Sequence, residues 1–243
     1  MKILVVGAGA MGRWFGESVA TSDDDLAFAD TDPGAAESAA EAVGGRALTP
    51  PVEKTFDLVC LAVPLPAAAA VIEEYAATAE TAICDVTGSM RGPIDAMRTY
   101  APDAERLSLH PLFSPENAPG NLAVVTDADG PISETIRERL AARGNDLVET
   151  TPAEHDEAME TVQASAHTAV LAFALAAEDV PDAFQTPISE GLFDLVGQVT
   201  DGEARVYADI QAAFDGADEV AEAARRIADA DDETFAELYE DLR

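Results

Sequence analysis

The sequence predicts an α/β fold in which a doubly wound parallel sheet over residues 1-150 is followed by an all-α helical domain over residues 151-243. Three observations predict it. Apolar runs of strand length alternate with Ala-rich helical stretches in the first 150 residues, a glycine-rich turn joins the first run to the first helix, and the pattern turns helical after Thr151.

Four runs, KILVVG (2-7), DLAFAD (25-30), DLVCLAV (57-63) and TAICDV (81-86), are β-branched or near-continuous, as in strands buried on both faces. LSLH (107-110) and NLAVVTD (121-127) read as further strands. PISETIRERLAARG (131-144) reads as a helix, with Pro131 in its first turn and Gly144 past its end. At TPAE the second domain opens on a capping box, with Thr151 as N-cap, Pro152 at the first helical position and Glu154 reaching back. Interruptions are expected at Pro181, Pro187 and the TDGE turn (200-203).

Hydrophobic residues at 48% and charged residues at 25% describe a globular chain, and no apolar run reaches the roughly 20 residues of a membrane span. The start MKILVVG enters a strand with no secretory signal expected. Cys60 and Cys84 sit in strand-like runs, which favours buried reduced thiols and a cytoplasmic protein over a disulfide or metal site. A net charge of −33, from 47 acidic and 14 basic residues, argues against nucleic acid and anionic membranes as partners. The acidic residues are dispersed, and Lys2 and Lys54 are the only lysines. That composition resembles the proteins of halophilic archaea, whose molar salt screens self-repulsion.

After the first strand comes GAGAMG (7-12), a G-x-G-x-x-G pattern made by Gly7, Gly9 and Gly12, with Ala10 and Met11 between the last two. The first glycine permits the tight turn, the second lets backbone approach a pyrophosphate, and the third lets helix pack on strand. Asp30 ends the second strand, placed to bind the hydroxyls of an adenine ribose. The combination predicts a Rossmann-type dinucleotide site completed by Val63 and Pro64 after the next strand. Thr31 and Asp32 stand where an NADP enzyme usually places a cation, so NAD is expected and NADP is disfavoured. Asp32 has two readings, as itself the ribose ligand or as a solvated turn residue.

Ligands of such sheets lie at the carboxyl ends of the strands, which puts Ser89 and His110 at the edge facing a nicotinamide and its substrate. Ser89 also reads as a helix N-cap, and His110 as an imidazole tying down a loop. In EHDEAMETVQASAHTAV (154-170), a helix advancing about 100° per residue would bring Asp156, Gln163 and His167 within about 40° of one another as one polar stripe. His167 and Gln163 are assigned to the interdomain cleft. His155 and Asp156 are read as structural, tying the helix to the first domain. The histidines and cysteines show no zinc spacing, and no metal is expected.

Taken together, GAGAMGRWF (7-15), ADTDP (29-33), LAVP (61-64), DVTGSMR (85-91), SLHPLFSP (108-115), the His155, Asp156, Gln163, His167 helix and RVYADIQ (205-211) resemble the prephenate dehydrogenase family, especially its short archaeal form. The resemblance implies NAD-dependent oxidative decarboxylation of prephenate, or of its amino analogue arogenate, in tyrosine biosynthesis, by a homodimer joined through the helical domain. It implies that His110 is the catalytic histidine, that Ser89 orients it and the nicotinamide, and that His167 lines the substrate pocket. Three positions depart from the family pattern. Ser114 replaces a glycine, one extra residue precedes Ser89, and Gln198 stands where an arginine commonly clamps a substrate carboxylate. Arg205 or Arg91 is left to supply that charge. A hydroxyacid dehydrogenase of the same shape would want a catalytic lysine in the helical domain, and no lysine follows Lys54. A non-catalytic NAD-binding regulatory protein is the alternative of another class.

Overall fold

The computed structural model describes residues 1-243, the side chain of Asp182 excepted. Contacts divide the chain into two compact units, Met1–Asp156 and Glu157–Arg243.

The first unit is built on an eight-stranded sheet among the described residues: β1 (Lys2–Val6), β2 (Asp25–Ala29), β3 (Arg46–Leu48), β4 (Phe56–Leu61), β5 (Ala79–Asp85), β6 (Glu105–Pro111), β7 (Asn121–Ala128) and β8 (Asp146–Glu149). The spatial order is β3-β2-β1-β4-β5-β6-β7-β8. Strands β1 to β6 are parallel, β7 pairs antiparallel to β6, and β8 follows β7 in parallel. The expected doubly wound parallel sheet is thus present in β1 to β6, with β7 and β8 running the opposite way at one end. Two edge strands, β3 and β8, join those expected, and their short, partly exposed sequences RAL and DLVE carry no apolar run.

Alternation along β1 sorts the core into two layers. Ile3 and Val5 face a cluster with Trp14, Phe15, Phe28 and Ile136, whereas Leu4 and Val6 face one with Phe56, Ile72, Tyr75 and Met97. The first layer is covered by α1 (Ala10–Val19), α2 (Pro33–Val43) and α5 (Pro131–Ala142), the second by α3 (Ala68–Tyr75) and α4 (Arg91–Tyr100). Chain order reverses at β1, which is flanked by β2 and β4, so a crevice opens beyond their carboxyl ends. Cys60 and Cys84 are register partners on β4 and β5, buried and unbridged.

Helix α6 (Pro152–Met159) opens on the expected capping box. Thr151 Oγ1 accepts from Glu154 N at 3.2 Å, and Glu154 Oε2 accepts from Thr151 N at 3.2 Å. A π-helical segment, Glu160–Ser165, then interrupts the helix before α7 (Ala166–Ala176). This corrects the predicted polar stripe: i→i+5 turns hold more residues than α turns, so the 100° advance does not carry from Asp156 to His167.

The second unit continues through α8 (Pro187–Thr200), α9 (Ala204–Ala213), α10 (Ala217–Asp229) and α11 (Asp232–Asp241). Gln211 of α9 supports the π segment, its Nε2 donating to Ala164 O at 3.0 Å while its Oε1 accepts from Thr168 at 2.9 Å. The buried apolar cluster here comprises Met159, Ala164, Ile210 and Phe214. Leu175, Phe184 and Ile188 are 89%, 77% and 78% exposed. No helix among the described residues is long and apolar enough to cross a membrane.

Candidate active site

The turn after β1 explains its glycines sterically. Gly7 has φ +96°, and a Cβ there would lie 2.2 Å from Ala62 O, just past the end of the neighbouring β4. A Cβ on Gly12 would meet Gly7 O at 1.9 Å. Gly9 differs: nothing lies within 4 Å of its hypothetical Cβ, and it is the N-cap of α1 with no side chain capping the helix. Open space thus faces backbone N–H groups at the positive end of a helix dipole, an arrangement suited to an anion. Ala10 is exposed and Met11 half-buried beside it, and Val63 and Pro64 follow β4 at the same edge. Asp30 accepts from Ala8 N at 2.7 Å and from Asp32 N at 2.9 Å, which draws its carboxylate to the glycine turn. Asp32 caps α2 by accepting from Gly34 N at 2.9 Å.

His110 lies near the carboxyl end of β6 and is 7% exposed. Its Nδ1 is 2.9 Å from Nε2 of His155, which is 3% exposed, and His155 Nδ1 is 2.8 Å from Asp156 Oδ1. The carboxylate of Asp156 also accepts from Met90 N at 2.9 Å, Arg91 N at 3.1 Å and Ser89 Oγ at 3.3 Å. Asp156 therefore caps α4 from across the fold. This corrects the N-cap reading of Ser89: the N-cap position is Met90, and the hydroxyl of Ser89 turns to the same carboxylate instead. Burial pushes His110 down to about 3, helped by the neighbouring His155 and opposed by Asp156. Burial alone would raise Asp156, but hydrogen bonds from His155, Met90 and Arg91 hold it below the usual carboxylate range. The unit thus contains a neutral buried imidazole linked through a second one to an ionised carboxylate. Sequence reasoning missed that link; the available signal was an HD pair immediately after a capping box.

No family model matches the chain. It is 31% identical to the 4-amino-4-deoxyprephenate dehydrogenase of Streptomyces pristinaespiralis over an alignment 267 positions long, covering 99% of this chain and 89% of that protein. The chain belongs to the prephenate dehydrogenase family. A second relative, the T-protein of Enterobacter agglomerans, is 28% identical over 220 residues, covering 86% of this chain and 55% of the relative. The crystal structure of prephenate dehydrogenase from A. aeolicus, in complex with hydroxyphenyl propionate and NAD+, shares the fold at a TM-score of 0.74 and 13% identity, covering 100% of this chain and 96% of that one.

Four residues that the family resemblance singles out belong to the second unit. His167 is half-buried with its ring edge-on to Tyr207, centroids 4.9 Å apart. Burial lowers its basicity, and its buried Nδ1 has no hydrogen-bond partner among the described residues. Gln163 lies in the π segment and Gln198 is exposed on α8. Arg205 is exposed on α9, 3.4 Å from Asp209 and 3.7 Å from Glu203. Arg91, in the first unit, reaches Asp156 at 4.0 Å and donates to Ala153 O at 3.3 Å.

Proposed function

We propose that this family member is an NAD-dependent prephenate dehydrogenase, catalysing oxidative decarboxylation of prephenate to 4-hydroxyphenylpyruvate in tyrosine biosynthesis. The observation that carries the reading is a buried, neutral His110 at the carboxyl edge of the same sheet whose first turn forms the glycine cradle.

The cradle fits a dinucleotide. Gly9, Ala10, Met11 and Gly12 present the α1 N-terminus to the pyrophosphate, with Gly7 shaping the turn, Asp30 meeting the ribose hydroxyls, and Val63 and Pro64 flanking the nucleotide. Two carboxylates, Asp30 and Asp32, where a 2′-phosphate would sit, favour NAD over NADP. Bound NAD supplies the hydride acceptor. The protein's part is proton handling and placement. His110 accepts the proton of the C4 hydroxyl as that carbon becomes a ketone, the ketone draws the electrons released when the ring carboxylate leaves as carbon dioxide, and His110 returns the proton to the aromatised oxygen. Ser89 orients this group. His167, Gln163, Gln198 and Arg205 are assigned to the substrate, with Arg205 carrying the charge that Gln198 lacks.

The 31% identical relative is named for a substrate with an amine at C4, which supports a second reading in which the ring bears nitrogen there. The test is NADH formation in molar KCl with prephenate, arogenate and 4-amino-4-deoxyprephenate supplied separately. The substrate with the highest kcat/KM identifies the reaction, and binding of NAD without turnover of any of the three would leave the non-catalytic regulatory alternative. Changing Gly9 to Ala should weaken NAD binding at least about tenfold by filling the open space. By calorimetry the fold should lose under about 1 kcal/mol, the scale of an N-cap change.

A homodimer through the helical unit is supported by its small buried cluster and by exposed Leu175, Phe184 and Ile188. The dispersed charge of −33 supports a salt-rich, halophilic cytoplasm. Sedimentation in molar KCl tests the dimer.

A further inference from the structure

We propose that His155 and Asp156 are positioning residues that fix the tautomer of His110, placing its lone pair on Nε2 as the proton acceptor and receiving the displaced proton at His155. The proposal deepens the dehydrogenase reading and rests on it for the role of His110.

The donors and acceptors are ordered outward from the carboxylate. An ionised Asp156 only accepts, so the atom 2.8 Å from its Oδ1, His155 Nδ1, carries a proton. A neutral His155 then has its lone pair on Nε2. That atom is 2.9 Å from His110 Nδ1, so His110 Nδ1 is the donor and His110 Nε2 carries the lone pair. His110 Nε2 points toward Gly88, where a Cβ would stand 3.7 Å away. Asp156 is itself anchored by Met90 N, Arg91 N and Ser89 Oγ, so the direction of the chain of hydrogen bonds is set by the α4 N-terminus.

The pair of imidazoles also resolves a chemical difficulty. Burial makes His110 a poor site for positive charge, with its basicity driven down to about 3. When Nε2 takes the substrate's hydroxyl proton, the Nδ1 proton passes to His155 Nε2. His110 stays neutral, and the cation forms on His155, whose Nδ1–H rests on the Asp156 carboxylate. One proton enters at His110 Nε2 and one leaves at Nδ1, so the step balances. Reversing it returns the proton to the product oxygen.

The three histidines make the test tractable by long-range 1H–15N correlation on protein labelled with 15N-histidine. At neutral pH the native protein should show both His110 and His155 protonated at Nδ1. In Asp156→Asn the amide nitrogen, turned to the Oδ1 place, donates to His155 Nδ1 at the cost of the bond from Met90 N, which reverses the chain and places the proton of His110 on Nε2. In His155→Phe, which leaves Asp156 capping α4, His110 loses the acceptor for Nδ1–H and should shift toward the Nε2 form. In both variants kcat should fall by about 10- to 100-fold with KM within about twofold. An Nε2-protonated His110 in the native protein, or variants with unchanged tautomers and kcat, would overturn the proposal. Failure of the dehydrogenase reading looks different: no substrate is turned over, or His110→Asn stays active, whatever the tautomers.

Discussion

Replacing His110 by Asn lowers kcat by about 10²- to 10⁴-fold, the range of a lost general base, and leaves the fold intact. The side chain ends β6 inside the core, where alanine would open a cavity beside His155, so Asn is the cleaner probe. An amide can still donate a hydrogen bond to His155 Nε2, but it takes up no proton at any useful pH. Binding of the ring substrate should change little, because the proton transfer belongs to the transition state. Combining this change with His155→Phe separates two mechanisms. If the two imidazoles act in series, the double variant is no slower than His110→Asn alone, since the second group has nothing left to position. Multiplicative losses would mean that His155 acts on the substrate or the fold by another route. Stopped-flow absorbance of NADH and steady-state kinetics on the three variants decide between them.

Much of the first unit is legible because its constraints are written in residue type. β1, β2, β4 and β5 are buried on both faces, and such strands admit little but apolar residues. β3 and β8 escape because an edge strand needs no core-facing run, and the reversed direction of β7 escapes because an apolar run carries no polarity. Gly7 and Gly12 are legible for the same reason as the central strands: any Cβ there strikes backbone. The π segment is not legible, since nothing in ETVQAS marks an i→i+5 turn. Nor is the partnership of His110 with His155, which joins residues 45 apart in the chain. Neighbours at i and i+1 normally point different ways on a helix, so His155 and Asp156 read as separate until their rotamers are seen to converge. Asp156 capping α4 is likewise a contact across the fold, while local rules sought the cap in Ser89.

Asp85 supplies the largest expected effect on stability, and its sign is unusual for a carboxylate. It ends β5 fully buried, with Oδ2 accepting from Thr87 N at 3.0 Å and Thr87 Oγ1 at 2.5 Å. Its Oδ1 and the hydroxyl of Ser108, its register neighbour on β6, lie side by side without a well-formed hydrogen bond. Burial, opposed by Thr87 and by the adjacent hydroxyl of Ser108 and abetted by the charge of Asp156, pushes the carboxyl up to about 7. Between the unfolded value near 4 and 7 the native state holds the extra proton, so this group costs stability as pH rises through that window and the full cost is present above it. His110 works in the opposite sense. Its lowered value makes the unfolded chain the better proton binder below about 6.5, so that contribution is lost as pH falls toward 3. Asp85→Asn removes the first effect alone. The Asn oxygen can keep both Thr87 bonds, and its amide nitrogen can donate to Ser108 Oγ, completing the bond that is not well formed in the native protein. At pH 8 the variant should be more stable than the native protein by on the order of 4 kcal/mol, the free energy of holding a carboxyl proton from about pH 4 up to about pH 7. The gain should shrink toward zero by about pH 4. Denaturant titrations of both proteins in the same molar KCl isolate the difference, because the self-repulsion of the remaining acidic residues is nearly common to both. A gain that persists unchanged at pH 4 would place its origin in packing or hydrogen bonding, with Asp85 ionising normally.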